Sequence, residues 1–336
     1  MKTRYFIFAL ALVAILALVA CAQPPAPQPA AQAKQFRVAV VMPSSANDLA
    51  FSQSMVDALK KMQTTLGKDK FDFVYSENMF VVGDAAAAIR DYATKGYDLV
   101  IAHGSQYGAP LQDIAPDFQN TAFAWGTAVD TFKDKGIKNV FAYTVASDQG
   151  GYVEGVMAAK LSKSKIIGAL GPIPAGDGQL TIKGFEAGAK ATDPNIKVQT
   201  TFTNSFSDVA LMSQAAQTQI ASGADALTGT SQSVVGAVSV AKDKNVLWFG
   251  NQSDQASLAP NIVVASQVYD WTVALKGMMD KISAGTRGGE VYTMTFQNNG
   301  LVMQYNSAYS LNAEVKALAE KTIAGLKDGS IVTNVK

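Results

Sequence analysis

The sequence is poor in the residues that most often carry chemistry. It has one cysteine and one histidine in 336 residues, and its charged residues amount to 16% with a formal net charge of +1. A single cysteine excludes an internal disulfide framework and a cysteine-based zinc site, and a single histidine excludes a two-histidine metal motif. The near-balance of charge is unlike that of a protein that binds nucleic acid through phosphate attraction. We therefore predict one large or two ordinary globular domains, with no metal, cofactor or nucleic-acid partner.

Catalytic motifs are also missing from the sequence, which has no G-x-S-x-G, G-x-x-x-x-G-K-[ST], H-E-x-x-H or C-x-x-C. His103 would need a nucleophile and an orienting acid to act as a base, and Ser105 is too close in sequence to share its proton. A hydrogen-bonding or structural role for His103 is therefore favoured. Asp177, which stands between two glycines, fits an anion-binding turn or the start of a helix equally well. We predict that the protein is not an enzyme.

The first 35 residues have the composition of an export and anchoring segment. Residues 1–21 combine a basic start with an apolar run of signal-peptide proportions, too short for a comfortable spanning helix. Residues 18–21 (LVAC) resemble the bacterial lipobox, in which a thiol, here Cys21, carries the lipid; the alternative is an ordinary secretory peptide. Residues 22–35 contain four prolines and indicate an extended tether. We expect an extracytoplasmic protein anchored by lipid to the bacterial cell membrane.

From residue 36 onward, short apolar runs alternate with amphipathic segments. The apolar runs predict strands at residues 36–42, 71–76, 97–104, 121–126, 139–145, 165–171, 197–203, 225–230, 246–250 and 262–268. The segments between them predict helices at residues 50–66, 84–96, 107–117, 150–162, 178–191, 208–222, 231–243 and 270–284, and the tail predicts one at 312–328. Buried strands separated by helices imply parallel sheets covered on both faces. The predicted fold class is α/β, with two doubly wound parallel-sheet lobes joined by a hinge.

The same alternation predicts the domain boundaries. We assign residues 36–145 and about 269–287 to an N-terminal lobe, and residues 146–268 and about 288–336 to a C-terminal lobe. The hinge crossings are expected near residues 145–147, 267–270 and 286–289. In open parallel sheets, ligands bind beyond the carboxyl ends of the strands. The segments that follow these strands are rich in amides, hydroxyls and aromatic rings and poor in lysine and arginine, which suits a neutral small molecule rather than a phosphate.

Several of these segments, taken in order, resemble motifs of one protein family. Residues 47–54 (NDLAFSQS) are similar to the first loop, N-D-K-S-F-N-Q-S, of the basic membrane protein (BMP) family of solute-binding lipoproteins. Residues 148–160 (DQGGYVEGVMAAK) and 183–190 (KGFEAGAK) are similar to its hinge segment and its G-F-E-A-G helix, and residues 204–208 and 253–260 match two of its turns. The resemblance covers roughly residues 36–305. It implies the two-lobed, hinge-closing fold of type I periplasmic binding proteins. It also implies that the protein is the solute-binding component of an ABC importer of purine nucleosides and related compounds.

The resemblance also implies roles for individual residues. Phe51 and Phe206 fall where the family presents aromatic rings to the two faces of a purine, and such stacking contributes about 0.5–1.5 kcal/mol per pair beyond area burial. The alternative for each ring is a core position in the helix that follows it. Asn47 and Asp48 would offer an amide and a carboxylate to the ring nitrogens or an exocyclic amine, although they also fit the start of a helix.

Two departures from the family pattern affect the recognition of a sugar. Gln252 stands where the family has an acid that grips ribose hydroxyls, and Gln267 stands where it has a lysine. Charge-assisted hydrogen bonds are about twice as strong as neutral ones, so ribose binding is in doubt. The resulting cluster of amide and aromatic side chains suits a bare nucleobase at least as well as a nucleoside. It consists of Asn251, Gln252, Gln267, Tyr269 and Trp271. Trp271 fits an interlobe packing position equally well. The other candidate ligand residues, taken from strand ends, are His103, Trp125, Thr230 and Asp254.

The function predicted on these grounds is capture of a purine nucleoside or nucleobase between the lobes, without chemistry. The resemblance implies an ABC permease and ATPase as partners, and we expect a monomer. Two alternatives remain: a ligand-sensing lipoprotein of the same fold, and a binder of another small solute such as a flavin or a sugar. An amino-acid binder would need an arginine for the carboxylate, and the nearest ones, Arg90 and Arg287, fall in a helix and a linker.

Overall fold

The structure of the protein is a computed structural model in which residues 34–335 are described. The predicted signal peptide, Cys21 and most of the predicted tether lie outside the described residues. Within this range, no helix has both the length and the apolar character needed to cross a membrane.

The elements of the described chain alternate as the hydrophobic pattern predicts. The strands are β1 (Phe36–Val41), β2 (Phe71–Ser76), β3 (Leu99–Ala102), β4 (Ala122–Gly126), β5 (Val140–Val145), β6 (Ile166–Gly171), β7 (Lys197–Phe202), β8 (Ala226–Gly229), β9 (Leu247–Gln252), β10 (Val263–Tyr269), β11 (Val291–Met294) and β12 (Leu301–Tyr305). The α-helices are α1 (Phe51–Leu66), α2 (Val82–Thr94), α3 (Gly108–Ile114), α4 (Ser147–Leu161), α5 (Gly176–Thr192), α6 (Val209–Ala221), α7 (Val234–Asp243), α8 (Thr272–Ser283) and α9 (Ala313–Asp328).

The strands form two six-stranded sheets. The first has the order β11-β5-β4-β3-β1-β2, and the second has the order β12-β10-β9-β8-β6-β7. All neighbours in the first sheet are parallel, whereas β12 of the second sheet runs antiparallel to β10. We call the first sheet with its helices the first lobe and the second sheet with its helices the second lobe. The central strands β3 and β8 are buried along their whole length, as expected for sheets covered on both faces.

The core is continuous between the two lobes. One cluster of buried apolar side chains includes Phe141 of the first sheet and Phe249 of the second. Two further clusters lie on the other faces of the sheets, around Phe123 in the first lobe and Trp248 in the second. The lobes therefore share a packed interior as well as the three chain segments that connect them.

Helices α4 and α5 approach each other more closely than side chains would normally allow. A Cβ atom added to Gly155 would lie 2.0 Å from the carbonyl oxygen of Phe185, and one added to Gly188 would lie 2.0 Å from that of Tyr152. Only glycine leaves room for this contact between backbones. The two motif segments, residues 148–160 and 183–190, therefore form the packing contact between these helices in the second lobe.

The last two strands differ from the sequence-based expectation. The hydrophobic pattern predicts neither β11 nor β12, and it places residues from about 288 onward in the C-terminal lobe. β11 instead pairs in parallel with β5 of the first sheet, from Val291 opposite Ala142 to Met294 opposite Val145. The third crossing between the lobes consequently lies between β11 and β12, at residues 295–300, rather than near 286–289. Both are edge strands with exposed residues, so their apolar pattern is weak.

Candidate functional site

A cavity of about 470 Å³ lies between the carboxyl ends of the two sheets. Its walls are the segments that directly follow strands of both lobes, as open parallel sheets require. We call it the interlobe cavity. The first lobe contributes Pro43, Phe51, Phe80, Val82, Gly104, Ser105, Gln106 and Thr127. The second lobe contributes Pro172, Ile173, Ala175, Gly176, Asp177, Gly178, Phe206, Thr230, Ser231, Gln232 and Gln252.

The chemical character of the interlobe cavity is aromatic and neutral-polar. Three phenylalanines line it together with amide and hydroxyl side chains, and Asp177 is the single ionisable side chain among these described lining residues. A cavity of this size and composition fits a small heteroaromatic solute. A phosphate would call for arginine or lysine, and neither is among the described residues that line the cavity.

Phe51 is held in place by a histidine behind its ring. The two rings are stacked with their centroids 3.8 Å apart and their planes at 4°. Nδ1 of His103 lies 2.7 Å from the Tyr143 hydroxyl, and Nε2 lies 3.0 Å from the backbone oxygen of Phe51. Burial lowers the pKa of His103 to about 3, so the imidazole is neutral, and its Nε2–H donates to Phe51. The structure places His103 in this supporting position, fully buried and outside the lining.

Phe51 is 5% exposed and belongs to the hydrophobic core, whereas the other two phenylalanines of the lining are partly exposed. Phe206 of the second lobe is 38% exposed, and its backbone oxygen accepts a hydrogen bond of 2.7 Å from Ser231. Phe80 of the first lobe is 39% exposed and follows β2. Sequence reasoning missed Phe80, which lies four residues beyond the end of β2. Its place in the loop that follows a predicted strand is the signal that identifies it.

Thr230 and Gln252 form the polar wall of the second lobe. Nε2 of Gln252 donates to Oγ1 of Thr230 over 3.4 Å, while Oε1 of Gln252 has no partner within residues 34–335. Gln252 also has a backbone φ of +71°, a conformation that non-glycine residues rarely adopt. Leu49 and Thr127, in loops of the first lobe at the same edge, have φ values of +52° and +55°. Positive φ also occurs at seven other non-glycine residues of the described range, Lys165 and Asn245 among them, so this feature by itself does not identify a binding site.

Asn47 and Asp48 lie beside the interlobe cavity, in the loop before α1. Asp48 accepts hydrogen bonds from the backbone N–H groups of Ala50, Ser52 and Gln53 and from the hydroxyl of Ser44. It therefore caps α1, which is the alternative role that its sequence position allowed. Burial outweighs these hydrogen bonds and raises its pKa. Asn47 is exposed and accepts a hydrogen bond from Ser45.

Three candidates from the second half of the chain lie in the interior. Trp271 is fully buried and donates from Nε1 to Oγ of Ser54 in α1 at 2.8 Å, so it packs inside the first lobe, with its ring edge-on to Tyr269 of the second. Gln267 donates from its backbone and side-chain nitrogens to the carboxyl group of Glu154. Burial raises the pKa of Glu154 well above its usual range. Burial, together with the nearby carboxyl group of Asp177, raises the pKa of Tyr269.

The remaining candidates occupy supporting or exposed positions. Nε1 of Trp125 lies 3.2 Å from the backbone oxygens of both Gly104 and Ser105, so this side chain holds the loop that lines the interlobe cavity. Asn251 is buried next to Gln252, and neither polar atom of its side chain has a partner within the described chain. Asp254 is exposed and accepts a hydrogen bond from the backbone of Ala256.

The structure thus brings four of the predicted ligand residues to one cavity: Phe51, Phe206, Thr230 and Gln252. The cavity also includes Asp177, whose place in the sequence fits an anion-binding turn or the start of a helix equally well. Asp177 lies in the first turn of α5. Its Oδ1 accepts a hydrogen bond of 3.3 Å from Thr144 of the other lobe, and burial raises its pKa to about 7.

Comparison with known proteins relates the chain to solute-binding proteins. The family described as "ABC transporter substrate-binding protein PnrA-like" matches residues 35–334. A purine-binding protein from Brucella abortus (strain 2308) is 28% identical over 308 residues, covering 89% of this chain and 83% of that protein. The ABC transporter nucleoside-binding protein BmpA from Lactococcus lactis subsp. cremoris is 26% identical, covering 100% of both chains. The solved structure of an ABC transporter solute-binding protein from Conexibacter woesei has a TM-score of 0.73 and 24% identity, covering 88% of this chain and 98% of that one.

Proposed function

This chain belongs to the PnrA-like family of ABC transporter substrate-binding proteins, and from that premise we propose that it captures a purine nucleobase or nucleoside in the interlobe cavity. The family match confirms the resemblance found in the sequence. It also confirms that the protein is a binding protein and not an enzyme, because the family supplies substrates to transporters and performs no reaction on them.

The observation that carries this proposal is the position of Phe51 and Phe206. They come from different lobes, and both line the interlobe cavity. A flat heterocycle between two rings gains stacking energy from both faces only when both lobes contact it. Ligand contacts that exist only in the closed arrangement shift the population toward it, which is how hinged binding proteins close on a solute.

The polar lining favours a neutral ligand with few charged groups. Gln252 presents an amide to the interlobe cavity where the family pattern has an acid for ribose hydroxyls, and Gln267 is held by Glu154 in the interior. A nucleobase therefore suits this lining at least as well as a nucleoside. A nucleotide is disfavoured, because its phosphates would find no cation among the lining residues.

We further propose that the protein works outside the cytoplasm as a lipoprotein anchored through Cys21, in line with the signal-like residues 1–21. Its partners in this proposal are the permease and the ATPase of an ABC importer, and it acts as a monomer. Labelling of cells with a fatty-acid analogue is expected to mark the wild-type protein and not Cys21→Ser. Equal labelling of the two would contradict lipid anchoring and leave solute binding unaffected.

Thermal-shift measurements test the ligand class directly. A ligand present at about 100 times its Kd stabilises the folded protein by about 2.7 kcal/mol, so purines and nucleosides are expected to raise the melting temperature. Flavins and sugars, screened in parallel, are expected to leave it unchanged. If no purine shifted the melting temperature while one of the other compounds did, the proposed ligand class would be wrong.

Truncation of an aromatic ring tests the site itself. Phe206→Ala is expected to raise the Kd for the best purine by more than about tenfold, which corresponds to about 1.4 kcal/mol, because one stacking face is lost. Tyr75→Ala is the matched control, since Tyr75 is 41% exposed and lies outside the lining. Isothermal calorimetry on the three proteins gives the comparison. An unchanged Kd for Phe206→Ala would show that this ring does not contact the ligand.

A further inference from the structure

Within residues 34–335, Asp177 is the one ionisable side chain that lines the interlobe cavity. All other polar lining side chains are amides or hydroxyls, which offer both donors and acceptors. An ionised carboxylate differs from them because it only accepts hydrogen bonds. A group of this kind distinguishes ligands that present an N–H donor from ligands that do not.

The hydrogen bonds of Asp177 leave one of its oxygens unused. Oδ1 accepts from Oγ1 of Thr144 in β5, across the boundary between the lobes. Oδ2 is shielded from solvent and has no partner in the described part of the chain. A buried polar atom without a partner is costly, so a ligand that supplies a donor gains what the free protein lacks.

The backbone of Asp177 is fixed, whereas its carboxyl group can turn. The backbone oxygen accepts hydrogen bonds from Oγ of Ser147 at 2.8 Å and from Oγ1 of Thr181 at 3.0 Å. The last torsion of an aspartate side chain is broad, so the carboxyl group can turn toward a donor at the expense of its long, 3.3 Å hydrogen bond from Thr144. The backbone of Asp177 is therefore held at the cavity wall, while its carboxyl group can reorient to accept a hydrogen bond.

Two other titratable groups lie near Asp177 in the second lobe. Tyr269 of β10 interacts with the charges of both Asp177 and Glu154 of α4. Burial raises the pKa of Tyr269 and of Glu154 well above their ordinary values, so Tyr269 keeps its proton near neutral pH and the charge of Glu154 is suppressed. Burial raises the pKa of Asp177 to about 7, so its carboxyl group changes charge in that range.

We propose that Asp177 determines ligand specificity by accepting a hydrogen bond from an N–H group of the bound heterocycle, so that the protein prefers amino-substituted bases to analogues without that donor. This inference rests on the proposed capture of purines. Binding sites that hydrogen-bond a ligand group reject analogues lacking it strongly, because the polar atom of the site is then left without a partner. Asp177 also disfavours anionic ligands, since a second negative charge would lie next to its own.

The test compares two ligands that differ in one donor. In 9-methyladenine the exocyclic amine is the only N–H group, and 9-methylpurine has none. At about pH 8, where Asp177 is ionised, calorimetry on the full chain is expected to give a Kd for 9-methyladenine lower by at least about tenfold, as a charge-assisted hydrogen bond allows. In Asp177→Ala the two Kd values are expected to agree within about threefold. Glu186→Gln is the control, because Glu186 lies on the same helix but pairs with Lys190 on the surface.

The pH dependence gives a second readout. Between about pH 6 and about pH 8, Asp177 ionises and becomes a better acceptor, so the preference of the wild type for 9-methyladenine is expected to grow about three- to tenfold. Neither ligand titrates in this interval. Asp177→Asn keeps the shape of the side chain and is expected to show a preference independent of pH. Retained binding of 9-methylpurine shows that each variant is folded.

The outcomes separate this inference from the proposed function. If wild type and Asp177→Ala prefer 9-methyladenine to the same extent, Asp177 does not recognise the donor, and purine capture still stands. If the wild type binds both ligands equally at every pH, the inference is also wrong. If it binds no purine at all, both the inference and the proposed function are contradicted.

Discussion

His103 contributes to the site without contacting its interior. Its ring covers one face of Phe51, and its two nitrogens bond to Tyr143 and to the backbone of Phe51. This arrangement requires the neutral imidazole, because Nδ1 must accept a hydrogen bond from the Tyr143 hydroxyl while Nε2–H donates. The position of Phe51 therefore depends on the protonation state of a residue behind it.

That dependence predicts an acid-sensitive stability. The pKa of His103 is about 3 in the folded protein and about 6.5 in an unfolded chain, so the unfolded state binds the extra proton between these values. The stability that His103 contributes is complete above about pH 6.5 and is lost as the pH falls, by about 1.4 kcal/mol per unit. From about pH 7 to about pH 5, the wild type is expected to lose about 2 kcal/mol more than His103→Gln.

Denaturant unfolding of both proteins at the two pH values measures this difference. Glutamine can accept from Tyr143 and donate to Phe51, so the variant is expected to fold at both. Comparing the two losses cancels the effect of the other titrating groups. Equal losses would show that the imidazole is not kept neutral by burial.

At the scale of elements, the contact between α4 and α5 accounts for the glycines in two of the motif segments, residues 148–160 and 183–190, because a larger residue would not fit there. Both helices belong to the second lobe, and the first turn of α5 carries Asp177. The close approach at Gly155 and Gly188 sets how α5 lies against α4. Packing between these helices therefore positions a wall of the interlobe cavity.

Gly155→Ala is expected to lower the free energy of unfolding by about 2 kcal/mol, because its Cβ would meet a backbone oxygen and force the helices apart. Gly83→Ala is the matched control. Gly83 is exposed in the first turn of α2, and a Cβ atom added there meets nothing within 4 Å. That variant is expected to be as stable as the wild type or more stable by up to about 1 kcal/mol. Equal effects of the two substitutions would mean that the contact between α4 and α5 does not constrain the fold.

At the scale of the whole molecule, hydrogen bonds join the loops of the two lobes beside the interlobe cavity. Oγ of Ser253 in the second lobe donates to the backbone oxygen of Ala50 in the first at 2.7 Å. Nε2 of Gln255 donates to the backbone oxygen of Leu49 at 3.1 Å. In the proposed hinge closure, these bonds form only when the lobes meet, so they would stabilise the closed arrangement relative to an open one.

Ser253→Ala is therefore expected to weaken ligand binding although Ser253 lies outside the cavity lining. Loss of one neutral hydrogen bond of about 1 kcal/mol from the closed form raises the Kd about fivefold. Ser283→Ala, which removes an exposed hydroxyl from α8, is the control and is expected to leave the Kd unchanged. Small-angle scattering with saturating ligand checks that both variants still close. A Kd unaffected by Ser253→Ala would argue against closure as part of binding.

The sequence by itself determined the fold class and the family. Apolar runs such as residues 36–42 and 97–104 identify buried strands because local hydrophobic patterning is strong in sheets covered on both faces. The short edge strands β11 and β12 were missed because they are half exposed, and pairing with β5 and β10 defines them. The location of the third crossing followed from that pairing, so it was misplaced as well.

Only the tertiary structure decided which strand-end residues share one cavity. Sequence position identifies residues that follow strands, but it does not give the direction of their side chains. Gln267 and Trp271 are predicted site residues near a strand end, as Gln252 is. Their side chains nevertheless hydrogen-bond to Glu154 and Ser54 in the interior. Phe80 and Asp177 line the same cavity as Phe51 and Phe206 because the two sheets bring loops that are distant in sequence together at one edge. Which loops come together depends on how the two lobes pack against each other. No local stretch of sequence encodes that packing.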